Sequence, residues 1–307
     1  MRKVKVIVPG GISAIFEPNL TSDPLTTGAR GAGIAIENTV EAEVILEEYN
    51  GDSWFFNKIN GCETNSGIGK IAAKIALEKR GLLNKIRVTV NQIIRAPIAS
   101  GFGTSAASAL AIILGIYHAL GKKISLLEAG KLAHIAELEA KTGLGTVSGL
   151  LSPGGIIIVA KPGAPGISII DKIPLNKHLY VIAVSLGKKE TQKALKDPNL
   201  ILRAKKYGKK YVDLLLSEPS IENFFQYAFE FSTAVGLMTP TLANAIKAAV
   251  HSGAIGAAQT MIGDAVFALA EEHMVQQVRQ ALEKSLGEKG YVFRPVLDGF
   301  EVFSNKS

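Results

Sequence analysis

The chain has 307 residues, 47% of them hydrophobic and 20% charged, enough for one large domain or two around a sizeable buried core. Its single cysteine, Cys62, excludes an intrachain disulfide framework and a cysteine-rich zinc site, so an intracellular, cytoplasmic protein is expected. The formal net charge of +7 suits an enzyme handling polyanionic nucleotides, and no low-complexity tract or internal repeat interrupts the chain.

Alternation in the first residues predicts a strand over 3–8, broken by Pro9-Gly10-Gly11 and too short for a signal peptide. β-branched runs predict further strands over 33–48 and 85–94, and between them residues 68–80 carry helical periodicity that Gly81 stops. Gly67-Ile68-Gly69-Lys70 imitates part of a Walker loop, yet Ile71 follows and the leading glycine is missing.

Residues 97–108, PIASGFGTSAAS, place a small-residue loop directly before a long apolar helix over 106–120. Gly101 and Gly103 let the backbone approach an anion, and the helix aims unpaired N–H groups and its positive dipole end at the same point. Thr104 and Ser105 add hydroxyls that can cap the helix or help hold a metal ion. A Rossmann fingerprint fits less well, because Pro97 and its neighbours separate the glycines from the preceding strand. A glycine-containing turn before a core helix would also produce this pattern. The helix itself is shorter than a membrane span.

Ser125-Leu-Leu-Glu128 forms a capping box that opens a helix to about residue 141. His134 and Glu137 share one of its faces, with Lys141 a turn beyond; a metal or substrate could meet both, or Glu137 and Lys141 could form an ordinary surface pair beside a partly buried histidine. After Gly154-Gly155 a buried strand is expected over 156–160, and 161–166 is a turn-rich break. A second unit is expected after Pro174, with a strand at 179–185, helices near 199–216, 221–233 and 241–251, and a strand at 265–269. A helix over 271–286 ending at Gly287 and strands at 291–295 and 300–303 complete it. The basic cluster Arg203, Lys205, Lys206, Lys209 and Lys210 reads as a solvated helix face, since stacking aromatics are too sparse for nucleic-acid binding.

With these residues in view, the chain resembles the GHMP small-molecule kinases, whose second motif is P-x-x-x-G-L-G-S-S-A-A: Pro97, Gly101, Gly103, Ser105, Ala106 and Ala107 match, and Phe102 and Thr104 depart mildly. Val8-Pro9-Gly10, Asp23-Pro24-Leu25, 28–33, Ala133-His134, Thr142-Gly143-Leu144-Gly145, Gln259 to Gly263 and Ala265 to Ala268 extend the likeness over nearly the whole chain. The resemblance implies an α+β, two-domain fold, S5-like over 1–174 and ferredoxin-like over 175–307. It further implies ATP-dependent phosphorylation of the primary hydroxyl of pantoate on the archaeal route to coenzyme A. Another small alcohol, of homoserine or mevalonate type, or a noncatalytic nucleotide-binding role remains open, as does a homodimer; no membrane partner is expected.

By that resemblance Pro97, Gly101, Phe102, Gly103, Thr104, Ser105 and Ala106 bind the nucleotide, and Ser105 with Glu137 holds Mg²⁺, Glu139 being the fallback. One hydroxyl and one carboxylate suffice for a hard ion that keeps water and bridges phosphates. His134, Arg30 and Gly263 are the expected substrate residues, His134 or Arg30 taking an acceptor carboxylate. Three positions depart from the pattern: Thr146 stands where a catalytic aspartate is expected, Ala29 where a serine is, and Pro9 to Phe16 is altered throughout. Threonine at 146 can orient an acceptor hydroxyl but cannot serve as its base.

Overall fold

β1 (Arg2–Asn19) and β2 (Gly28–Glu48) form a long antiparallel hairpin, paired from Arg2 with Leu46 to Asn19 with Gly28. The computed structural model describes residues 2–49, 51, 53–64, 67–187, 197–297 and 302–303. The sequence predicts a strand ending at Val8; instead β1 carries Pro9 to Gly11 within it, because the register shifts between Val8 and Gly10 and the missing proline N–H falls at that irregularity. A second shift lies between Ser13 and Ile15.

β2 changes partners along its length. Its far half, from Val40 to Glu48, pairs with β5 (Ile86–Ile94), while Gly31 to Ile34 pair with β6 (Ile156–Lys161). β3 (Phe55–Ile59) runs parallel to β5 and carries β4 (Cys62–Glu63), β7 (Ile169–Ile173) flanks β6, and β12 (Val302–Phe303) returns to β1. Residues 300–301 of the last expected strand lie outside the described residues.

Against this sheet pack α1 (Gly67–Glu78), α2 (Thr104–Ala119), α3 (Leu126–Ala140) and the short α4 (Thr146–Leu150). α2 is apolar on nearly every side and buried on nearly every side, so it is the central helix of the layer. Ser125 caps α3 by accepting a hydrogen bond from the Glu128 N–H, as the capping box predicts.

The second sheet has the order β11-β8-β10-β9, from β8 (Leu179–Ser185), β9 (Gly256–Gln259), β10 (Ala265–Glu271) and β11 (Gly290–Phe293). α5 (Pro198–Ser217) packs against β1, β2 and β6 of the first sheet, and α6 (Ile221–Ala234), α7 (Pro240–His251) and α8 (Val275–Leu286) lie against the second. Asp197, Ser220 and Thr239 cap the first three, and α8 ends at Gly287 with φ +71°. The basic residues of α5 are exposed, opposite buried Ala204, Gly208, Tyr211 and Val212. No helix among the described residues is long and apolar enough to cross a membrane.

One hydrophobic cluster belongs to both sheets: Ile12, Ile15, Phe16 and Ile34 pack with Val181, Phe224, Phe231 and Phe267. Phe16 meets Phe231 edge to face at 5.8 Å. Phe231→Ala is therefore expected to destabilise the protein by about 3–5 kcal/mol through the lost contacts and the cavity left behind. In thermal unfolding followed by circular dichroism, the whole signal should shift in one step; a separate early phase would show that the sheets do not share this core.

Candidate active site

The turn between β5 and α2 is built by conformation rather than by side chains. Gly101 and Gly103 adopt φ +86° and +62°, values that favour glycine, and Gly103 occupies the N-cap position of α2 without a side-chain cap. There is also no room for a side chain: a Cβ on Gly103 would lie 2.9 Å from the Gly11 carbonyl oxygen and 3.0 Å from Thr146 Cγ2. The Gly11 N–H donates to the Phe102 carbonyl at 3.1 Å, fixing the turn against β1.

A cavity opens here. Gly11, Ile12, Ser13, Ile15 and Phe16 of β1, residues 29–35 of β2, the 101–105 turn, Glu137, and 142–146 border it, with Met261 and Ile262 from the second sheet's loop. Among the expected site residues it brings together Gly101, Phe102, Gly103, Thr104, Ser105, Glu137, Thr146 and Arg30. Phe102 contributes backbone, since its ring is buried in the shared core beside Phe293. Pro97, Ala106, His134 and Gly263 do not line it.

Glu137 is 1% exposed, which overturns the surface pair with Lys141. Lys141 instead ends α3 with φ +55°, and among the described residues Glu137 forms no ion pair. Its carboxylate accepts from the Val147 N–H at 3.4 Å and from the Thr146 hydroxyl, at the first turn of α4. Burial dominates these bonds and pushes its pKa up to about 7. Gly143 makes the approach feasible, as a Cβ there would lie 2.2 Å from Glu137 Oε1. Thr142 on the same wall keeps a buried hydroxyl oxygen without a hydrogen-bond partner.

His134 is fully buried, and its Nε2 pairs with the Pro24 carbonyl oxygen at 3.0 Å. Its burial lowers the imidazole pKa, so the ring is neutral there, behind Gly145. Arg30 reaches the cavity from β2, with Nη1 on Glu17 at 2.9 Å and Nη2 on Asp213 of α5, while its Nε is buried without a partner. Among the described lining residues Arg30 is the sole cation and Glu137 the sole anion. Gly263 lies behind the turn, where a Cβ would meet the Ser100 carbonyl oxygen at 2.4 Å.

Sequence reasoning passes over Thr142, Glu17 and Asp213. Thr142 could have been noticed from its place in Thr142-Gly143-Leu144-Gly145, but Asp213 is separated from Arg30 by 183 residues and carries no local signal.

A phosphate-type turn at a helix N-terminus borders one cavity with a buried carboxylate, an arrangement suited to a small-molecule phosphotransferase, the class to which similar proteins belong. The model of the GHMP kinases N terminal domain matches residues 68–150 and that of the GHMP kinases C terminal domain residues 214–289. The chain belongs to the GHMP kinases and has their two-domain α+β fold. It is similar to the pantoate kinase of Methanocaldococcus jannaschii, 28% identical over 282 residues that cover 92% of this chain and 98% of the relative. To that of Thermococcus kodakarensis it is 29% identical over 281 residues, 91% of each chain. Among solved structures, a "phosphotransferase related to CoA biosynthesis pathway" superposes with a TM-score of 0.86 at 26% identity, over 99% of this chain and 100% of the other. Homoserine kinase from Cytophaga hutchinsonii shares the fold, with a TM-score of 0.69 at 19% identity over 99% and 98%.

The raised pKa of Glu137 has a definite sign for stability. Unfolded, the carboxyl ionises near 4.5; folded, it holds its proton to about 7, so its contribution falls as pH rises through that window and is lowest above it. The loss amounts to roughly 3 kcal/mol. Urea unfolding of metal-free protein between pH 5 and 8 should show this decline, and Glu137→Gln should flatten it; an unchanged slope in the variant would assign the decline elsewhere.

Proposed function

We propose that this chain transfers the γ-phosphoryl group of ATP to the primary hydroxyl of pantoate, releasing ADP and forming 4-phosphopantoate. The observation that carries the reading is the cavity: one wall is the glycine turn and N-terminus of α2, and another joins a single arginine to the apolar surface of Ile15, Phe16 and Val159. A small hydroxy acid with a branched hydrocarbon body suits that pairing. The named relatives are pantoate kinases, and the similar phosphotransferase is one of CoA biosynthesis.

In this reading the turn N–H groups and the α2 dipole hold the nucleotide phosphates. Ser105 and Glu137 suit Mg²⁺: the carboxylate is buried without a cation, and no cluster of three or more His, Cys, Asp or Glu among the described residues offers a different metal cage. The ion would neutralise charge on the phosphate oxygens. A structure of the same fold, with a TM-score of 0.71 at 15% identity, is a complex with AMPPCP and magnesium. Arg30 takes the acceptor carboxylate, replacing His134 in that role, because His134 is withheld from the cavity and already bonded to Pro24.

Thr146 donates its hydroxyl to Glu137, so it orders the carboxylate instead of deprotonating the acceptor. Phosphoryl transfer tolerates this, since its loose transition state asks chiefly for positioning and charge stabilisation.

Purified protein with ATP and Mg²⁺ should release ADP fastest with pantoate in a panel that includes pantothenate, homoserine and mevalonate. Preference for another alcohol would reassign the acceptor, and nucleotide binding without turnover would overturn the kinase reading. Ser105→Ala and Glu137→Gln should each lower kcat by about 100-fold or more through loss of charge stabilisation.

Arg30→Met should raise KM for pantoate by roughly 10-fold or more and leave KM for ATP within about twofold, as expected for a contact to the acceptor alone. Equal rises in both constants would make Arg30 a structural link between Glu17 and Asp213.

A further inference from the structure

The turn that receives the phosphates is held from behind by a residue of the other sheet. Thr260 follows β9, is fully buried, and donates its hydroxyl to the Ser100 carbonyl oxygen at 2.9 Å across 160 residues of sequence. Its own position is fixed twice: its N–H donates to the Ala265 carbonyl at 2.9 Å, and its carbonyl accepts from the Gly263 N–H at 3.0 Å. The next residue binds the cavity floor, Met261 N–H donating to the Ser13 carbonyl at 2.7 Å. A Cβ on Gly101 would come within 2.9 Å of Thr260 Cβ and Oγ1, so the Thr260 side chain packs directly against the Gly101 backbone.

The bond acts on a particular peptide plane. In a trans peptide the C=O and the following N–H point in opposite directions. Holding the Ser100 carbonyl toward Thr260 therefore turns the Gly101 N–H away from the second sheet, and Gly101 lines the cavity. Glycine at φ +86° lets that plane rotate at little steric cost, so a tether has to supply the preference. With the plane reversed, a carbonyl dipole would face the phosphates where an N–H is needed.

We infer that Thr260 is a positioning residue for nucleotide binding: its hydroxyl locks the peptide between Ser100 and Gly101 so that the Gly101 N–H is presented to phosphate. This rests on the proposed function in one respect, that the turn receives a nucleotide. Nothing in the local sequence around Ser100 supplies the tether. The family-like stretch from Gln259 to Gly263 acts here through the turn, with Gly263 sized to leave the Ser100 carbonyl accessible.

Thr260→Val keeps the shape and removes the hydroxyl, and Thr260→Ser keeps the hydroxyl. The Val variant should raise KM for ATP by about 10- to 100-fold, the scale of a misplaced binding group, while KM for the acceptor stays within about twofold. The Ser variant should recover most of the loss. Wild-type KM for ATP in the Val variant, or a Ser variant no better than Val, would overturn the inference, as would equal rises in both KM values. If Val does not fold, Thr260→Ala removes the hydroxyl without placing a methyl against Ser100 and is read in the same way. Calorimetric titration with ADP and Mg²⁺ separates this inference from the kinase reading. A wild type that binds ADP but turns over no acceptor fails the proposed function, and weaker ADP binding in Val restored in Ser still supports Thr260. A wild type that does not bind ADP overturns both.

Discussion

The approach of β1 to the turn before α2 sets the geometry of everything around the cavity. Gly11 donates to the Phe102 carbonyl and Ser13 accepts from Met261, so one strand binds the turn on one side and the second sheet's loop on the other. These are backbone hydrogen bonds in a buried setting, where a lost partner leaves a polar group without water to replace it. The irregularities of β1 at Val8/Gly10 and Ser13/Ile15 fall where these contacts are made. A regular strand would present alternating side chains there, whereas the shifted register exposes backbone to both neighbours.

The electrostatics of the cavity follow from the same crowding. Arg30 is fixed by Glu17 and Asp213 through its two Nη atoms, with Nε left without a partner, and Glu137 carries its charge only against the cost of burial. This gives Thr146 a physical reason. A second carboxylate at that position would face the buried Glu137 at close range, whereas a hydroxyl stabilises the carboxylate it touches.

Local chemistry made much of the fold legible. The capping box at Ser125, the glycine stop at Gly287 and the apolar run that becomes α2 are signals carried by adjacent residues, and the structure bears them out. β9 was silent because its sequence, Gly-Ala-Ala-Gln, has no β-branched residue and is a strand through burial alone. α4 is a single turn within a glycine-rich stretch, and Pro9-Gly10-Gly11 reads as a break although the pairing continues past it. At the site, the spacing of His134 and Glu137 places them on one face of α3 but cannot say which reaches the cavity. That depends on Gly143, which admits the carboxylate, and on Pro24, which engages the imidazole. Contacts such as Thr260 to Ser100 and Arg30 to Asp213 depend on how distant segments meet, and no window of sequence contains them.

The cluster shared by the two sheets bears on modularity. Sequence punctuation near Pro174 invites a cut, yet β12, from the far side of that cut, pairs with β1 in the first sheet. Separating the halves would strip Phe224, Phe231 and Phe267 from Ile12, Ile15 and Phe16, leaving each fragment with an uncovered aromatic or aliphatic face that is prone to aggregate. The halves are therefore poor units for recombination: exchanging one with a distant homologue would succeed only if the buried surfaces of both were exchanged as a matched set.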